Sequence, residues 1–320
     1  MKFDLVMTDK QLESLRDELD TIDIEIQNLL TRRAEISLEV KKIKQDGEVK
    51  LKPGREAQII RALIERHQGH FPKPELIRIW REILSASLQA QGAFSVGVYV
   101  PEDGINDSDE NSWGYFAAAR GHYGTFTPMI GYPSQRRVIE AVIEDECSVG
   151  VLPVPGRQED DPWWRHLAIQ GPMLSSNGSL NPPRIISRLP FATPSNGANK
   201  MGSKSGGNAL DSLVIAKSEM DPSGLDCTYI GLDLSEDIPN TKIDVRIVEI
   251  GMTGSVIALW HDDDMPERWL SLLKINGYFT PEDGNLLRLA EGFGEHFNQA
   301  TVLGGYAVPI GADALAPSNN

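Results

Sequence analysis

Apolar residues in the first part of the chain recur at alternating steps of three and four: Leu12, Leu15, Leu19, Ile22, Ile26, Leu29, then Ile36, Val40 and Ile43. That spacing predicts one long helix with a single buried seam. The helix opens at "TDKQ", residues 8–11, where Thr8 and Gln11 have the form of a capping box, and runs to about Gln45 before "DGE" at 46–48 ends it. A shorter helix follows "KPGRE", with Ile59, Ile60, Leu63 and Ile64 on one face. Behind "FPKP" a third runs from about Glu75 to Gln91, its stripe being Leu76, Trp80, Ile83, Leu84 and Leu88. After residue 93 the period changes. "FSVGVYV", "TFTPMIGY" and "SVGVLPV" read as strands separated by helices at 114–122 and 133–145, a βαβαβ pattern with a largely parallel sheet. Residues 193–208 have almost no apolar content and read as a loop or linker. Beyond them "SLVIAKS", "TYIGLDLS", "DVRIVEIG" and "SVIALWH" read as strands, then come helices near 265–275 and 284–296, then "ATVLGGYAVPI": an α+β pattern.

Polar residues interrupt all three apolar stripes of the helical part. Arg33 stands where the seam calls for a leucine between Leu29 and Ile36, and Lys44 lies about 20° away around the helix and about 16 Å further along it. Arg55 and Glu56 sit one turn before Ile59 and Ile60, and Ser87 and Gln91 continue the line of Trp80, Ile83 and Leu84. Burying an unpaired cation costs several kcal/mol, and three would cancel the roughly 5–15 kcal/mol of a typical domain. Glu56 answers one of them, which leaves room for a ligand with about two negative charges. The alternative is that Arg33 and Lys44 reach solvent or pair with Glu35 and Glu39. Arg16, about 100° off Arg33, is too far for the same pocket and would serve the pocket of a second copy. A helix of this length also carries more seam than two short helices can cover, so an intertwined homodimer is expected.

Charge sharpens the division of the chain. Residues 1–94 hold 16 Lys+Arg against 16 Asp+Glu, whereas the rest holds 15 against 30, so the whole excess of −15 lies after residue 94. Acidity of this kind argues against nucleic acid or a membrane surface as partner. No run of 18 apolar residues is present and "MKFDLVMTDK" lacks a signal-peptide core, so a soluble cytoplasmic protein is expected. Cys147 and Cys227 are too few for a disulfide framework and read as free, partly buried thiols. "DDPWWRH" at 160–166 reads as a packed loop, "HDDD" at 261–264 as an acidic turn rather than a metal site, and His67 and His70 as helix-end residues.

The stretch "LRDELDTIDIEIQNLLTRRAEISLEVKKIK", followed by "GREAQII" and "IWREILSASLQAQ", resembles the all-helical class of chorismate mutase over residues 8–93. The resemblance implies a site in which Arg33, and Arg16 from the partner subunit, bind the two carboxylates of chorismate. Lys44 and Gln91 would then face the ether oxygen, and Arg55, Glu56 and Ser87 complete the pocket. Where many relatives have an aspartate three residues before the Arg-Glu pair, this chain has Lys52. Chorismate to prephenate is an intramolecular [3,3] rearrangement, so no nucleophile, metal or cofactor is called for; positioning and charge stabilisation suffice.

Residues 94–219 are similar to prephenate dehydratase in the order of "FSVGVYVPEDG" and "YFAAARGHYGTFTPMIGYPSQRRVIEAVIEDECSVGVLPVPG". That family's "TRF" is matched here by Leu210, Asp211 and Ser212, and its "PIENS" by "PVPGR", so this domain is expected to be inactive. Residues 220–320 end in "VLGGYAVPI", similar to the "VLGSYP" that closes an ACT regulatory domain, without its "GALV" and "ESRP" motifs. The expectation is thus a multi-domain chain: an all-α mutase domain at 1–93, an α/β domain at 94–219 and an α+β domain with a tail at 220–320. Two other functions stay open, a bifunctional mutase and dehydratase, and a non-catalytic sensor of an aromatic metabolite.

Overall fold

The interrupted seam folds as a single helix, α1 (Lys2–Lys44), which begins ahead of the capping box because nothing in residues 2–7 breaks it. The computed structural model describes residues 2–44, 51–101, 110–169, 182–192, 211–262 and 264–316. The chain divides into two compact units, the first made of residues up to Val49 with Ala86–Ala93, the second of Lys50–Ser85 with Phe94–Asn320. In the first unit the seam residues Leu12 to Ile43 are 42–79% exposed. Arg32, not on the seam, makes ion pairs with Glu35 at 3.1 Å and Glu39 at 3.8 Å.

In the second unit α2 (Pro53–Arg66) and most of α3 (Lys73–Gln91) form a core in which Ala57, Ile60 and Ile64 meet Ile77 and Leu84 together with Phe191, Ala307 and Leu315. The sequence groups these helices with α1, but their apolar faces are closed by residues from far along the chain. Then follow β1 (Val96–Tyr99), α4 (Glu110–Tyr123), β2 (Met129–Tyr132), α5 (Gln135–Ile143) and β3 (Val149–Pro153), with β1 parallel to both β2 and β3. The next elements are α6 (Trp164–Ile169), β4 (Arg184–Leu189), β5 (Ser212–Ala216), β6 (Asp226–Leu234), α7 (Asn240–Glu249), β7 (Thr253–His261), β8 (Trp269–Asn276), α8 (Gly284–Glu291), β9 (Phe297–Ala307) and α9 (Ala312–Leu315). Among the described residues nine strands share one sheet, in the order β2-β1-β3-β5-β4-β9-β6-β8-β7. It runs through both stretches that the sequence separates at 219, with β4 lying parallel to β9 at Ile185 and Gly304.

Two elements differ in type from the sequence reading, and β4, α6 and α9 have no counterpart in it. "DVRIVEIG" alternates like a strand, yet it lies in α7, because Ile243 and Ile247, four apart, both go into the core while Val245 and Val248 stay 56% and 67% exposed. The helix expected at 265–275 is strand β8. Its near-continuous apolar run is buried on both faces, with Leu270 and Leu272 in one core and Leu273 and Ile275 in the other. Strand β4, "RIISRL", was not anticipated. The loop expected at 193–208 lies outside the described residues. "DDPWWRH" is packed as expected, Trp163 and Trp164 being 1% and 0% exposed and Trp163 Nε1 donating to the Pro153 carbonyl at 3.0 Å, but its last three residues open helix α6 rather than continue a loop.

Candidate active site

Within the first unit α1 is exposed along its described length except at Arg33, Ser37 and Lys41, a polar stripe with one residue per turn. This stripe meets the last turns of α3. Arg33 Nη1 donates to Ser87 Oγ at 2.7 Å, and Lys41 Nζ donates to the Gln91 carbonyl. Ser87 and Gln91 are themselves half-buried and four residues apart, so they present one face to the stripe. Lys44 continues the helix, but its side chain lies outside the described residues. Arg16 is exposed.

Lys41 escaped the sequence reading. The signal for it was present: it stands eight residues after Arg33, on the same face, and α3 has no basic residue in its own last turn. A cation brought by α1 therefore answers the C-terminal carbonyls of α3. Arg33 differs, in that its planar fork faces a hydroxyl and is suited to hold a carboxylate in two hydrogen bonds.

The remaining sequence-selected residues, Lys52, Arg55 and Glu56, lie in the second unit, at the start of α2. Glu56 accepts from Arg81 Nη1 at 3.0 Å, and Arg81 is buried with its guanidinium 5.0 Å from the centre of the Phe191 ring. Burial pulls the Arg81 guanidinium below its ordinary value while Glu56 pulls it back up. His122 beside it is held neutral, far below the usual imidazole value, by burial first and by the Arg81 charge second. The carboxylate assigned from sequence to balance a ligand pocket is thus engaged with a buried arginine that the sequence reading passed over.

Lys52 Nζ lies 3.8 Å from Asp221 Oδ1, and the Arg55 backbone N–H donates to Asp221 Oδ2 at 3.0 Å. The Arg55 side chain is exposed and reaches Gln58 at 3.4 Å.

A second polar cluster stands at the expected dehydratase position. Asp211, matched to the arginine of "TRF", pairs with Arg188 at 2.8 Å, and Arg188 also reaches the Tyr306 hydroxyl at 3.4 Å. Burial raises both Tyr306 and Tyr229, the latter to about 12. Ser212 is buried and Leu210 lies outside the described residues. His261 closes β7 and stacks on Trp269 with ring centres 3.6 Å apart, and beyond the strand Asp262 accepts from the Asp264 N–H at 3.0 Å. Among the described residues no group of three or more His, Cys, Asp or Glu could hold a metal ion, and no helix is long and apolar enough to cross a membrane.

Comparison with known proteins matches residues 15–92 to the chorismate mutase type II family. A bifunctional chorismate mutase/prephenate dehydratase of Stutzerimonas stutzeri is 27% identical over 155 residues, covering 47% of this chain and 40% of that protein. Its namesake in Aquifex aeolicus (strain VF5) is 34% identical over 150 residues, 45% of this chain and 39% of that protein. The chain thus spans about 40% of the length of the curated relatives it matches. Among solved structures, prephenate dehydratase from Streptococcus mutans is 12% identical with a TM-score of 0.40, covering 68% of this chain and 99% of that one. Prephenate dehydratase from Arthrobacter aurescens in complex with L-Phe is also 12% identical, with a TM-score of 0.40 and coverage of 69% and 93%. The segment that carries Arg16, Arg33, Lys44, Ser87 and Gln91 is thus the one that is similar to the chorismate mutase type II family.

Proposed function

We propose that the protein is a chorismate mutase, converting chorismate to prephenate with no cofactor, and that its substrate-binding residues are Arg16, Arg33, Lys44, Lys52, Arg55, Glu56, Ser87 and Gln91. The observation that carries this reading is the family match over residues 15–92, within which Arg33 and Ser87 stand 2.7 Å apart. Arg33, with Arg16 of a partner subunit, grips the substrate's two carboxylates and holds it in its compact reactive conformer. Lys44 and the Gln91 amide act on the ether oxygen, where negative charge develops as the carbon–oxygen bond breaks. The electrons move within the substrate, so no side chain exchanges a proton with it.

The assembly proposed is a homodimer. Its support is the seam of α1, nine apolar residues each at least 42% exposed on a helix of 43 residues, more than an isolated chain leaves to water. A cytoplasmic setting fits the two cysteines, both free and buried, with burial pushing the Cys147 thiol up to about 11. A bifunctional mutase and dehydratase is the second reading, favoured by relatives of that name whose match extends beyond residues 15–92. Against it stand Asp211 and Ser212, the first tied to Arg188. Incubation of the full chain with chorismate, followed by product identification, tests both. Prephenate that accumulates is the expected result, with light scattering at twice the chain mass; phenylpyruvate would establish the second reading, and unchanged chorismate would remove both.

A further inference from the structure

The first turn of α2 is short of partners within its own sequence. Pro53 has no N–H, and Lys52 at the N-cap position makes no side-chain cap. The missing acceptor arrives from 166 residues away, as Asp221 takes the Arg55 N–H at 3.0 Å and lies 3.8 Å from the Lys52 ammonium. Gly54 makes this approach possible, because a Cβ there would collide with the backbone carbonyls of Asp221 and Pro222. The loop that presents Asp221 is itself held in shape. Asp226 accepts from the Ser223 N–H, the Ser223 hydroxyl and the Gly224 N–H, with Gly224 at φ +89°. Nearly two turns further along α2, Arg61 donates to the Ser223 hydroxyl at 3.0 Å, the Leu225 carbonyl at 3.0 Å and the Val308 carbonyl at 2.8 Å.

We propose that Asp221 is a positioning residue for the mutase reaction: it caps α2 and balances Lys52, so that a loop of the C-terminal region sets the first turn on which Lys52, Arg55 and Glu56 stand. This rests on the mutase reading above. The two roles of the carboxylate are separable. As an acceptor it fixes the Arg55 backbone, which a neutral amide also does; as a charge it cancels Lys52, which only an acid does. Removing the charge alone leaves an uncompensated cation facing a dianionic substrate and strengthens its capture at low salt.

The test is steady-state kinetics of the full chain on chorismate for wild type, Asp221→Ala, Asp221→Asn and Gly54→Ala. Asp221→Ala is expected to lower kcat roughly tenfold, through loss of the cap. Asp221→Asn keeps the acceptor, so it holds kcat within about threefold of wild type while KM falls at low salt and returns at high salt. Gly54→Ala, which displaces the loop without removing a polar group, reproduces the loss of kcat. A purely structural role would lower the melting temperature of these variants and leave kcat and KM of the folded protein alone. Wild-type kcat and KM in both Asp221 variants, whatever their thermal stability, overturn the inference; a wild-type chain that does not turn over chorismate overturns the mutase reading and this inference with it.

Discussion

Arg33 and Lys41 are two cations on one face of α1 with different work. Arg33 meets a hydroxyl and has a fork to offer a carboxylate, whereas Lys41 meets the Gln91 carbonyl at the end of α3. Lys44, proposed for the ether oxygen, is one turn nearer the end of the helix. Replacing each lysine by alanine separates these roles. Lys44→Ala is expected to reduce kcat by about 30-fold or more, the effect of losing a charge from developing negative charge in a closed site, roughly 2–4 kcal/mol. Lys41→Ala is expected to lower the melting temperature, by the roughly 0.3–1 kcal/mol of a cation at a helix C-terminus, with kcat within a few-fold of wild type. The reverse order of effects would assign Lys41 to the chemistry.

Where α2, α3 and α4 meet, Glu56, Arg81 and His122 give one buried cluster with a pH signature. In the fold His122 resists protonation well below its ordinary value of 6.5, while the unfolded chain takes the proton near that value. The unfolded state therefore binds more protons as pH falls below 6.5, and stability drops by up to about 1.4 kcal/mol per pH unit until the folded pKa is reached. Melting temperatures measured from pH 8 to pH 5 should stay level above 6.5 and fall below it, and His122→Gln should flatten that fall; an equally steep profile in the variant would remove His122 as its source. Helices α2 and α3 were legible because one face of each is buried and the other wet, and α1 because its apolar residues keep a helical period although they are exposed. Strands β1 and β3, buried at nearly every residue, were legible as short apolar runs rather than by alternation. Legibility failed where the period was erased, as in β8, buried on both sides, or imitated, as in α7, where Val245 and Ile247 alternate with polar neighbours yet only Ile247 is buried. Among site residues, Arg33, Ser87 and Gln91 were visible because they break apolar stripes. Arg81 and Asp221 were not, since their partners lie 25 and 166 residues away and no local pattern announces them.

The whole chain carries a neutral helical part and an acidic remainder, yet α2 draws its packing and its cap from the remainder. Phe191, Ala307 and Leu315 close the core of α2 and α3, and Asp221 closes the helix start. Cutting the chain after residue 93 exposes Ala57, Ile60, Ile64, Ile77 and Leu84 to water and leaves Arg81 beside Glu56 without its cover. The fragment is therefore expected to lose most of its mutase activity and to melt without a cooperative transition, measured by chorismate consumption and circular dichroism. Full activity in the fragment would mean that the C-terminal region is dispensable to the reaction. Arg33, placed where a leucine belongs, is the residue proposed to bind a substrate carboxylate. Chorismate consumption by full-length wild type and by Arg33→Ala, both checked for folding, tests it directly. In the variant kcat/KM is expected to fall by about 30-fold to 1000-fold, the value of a charge-assisted contact of roughly 2–4 kcal/mol, and a variant that consumes chorismate as fast as wild type would remove Arg33 from the carboxylate site.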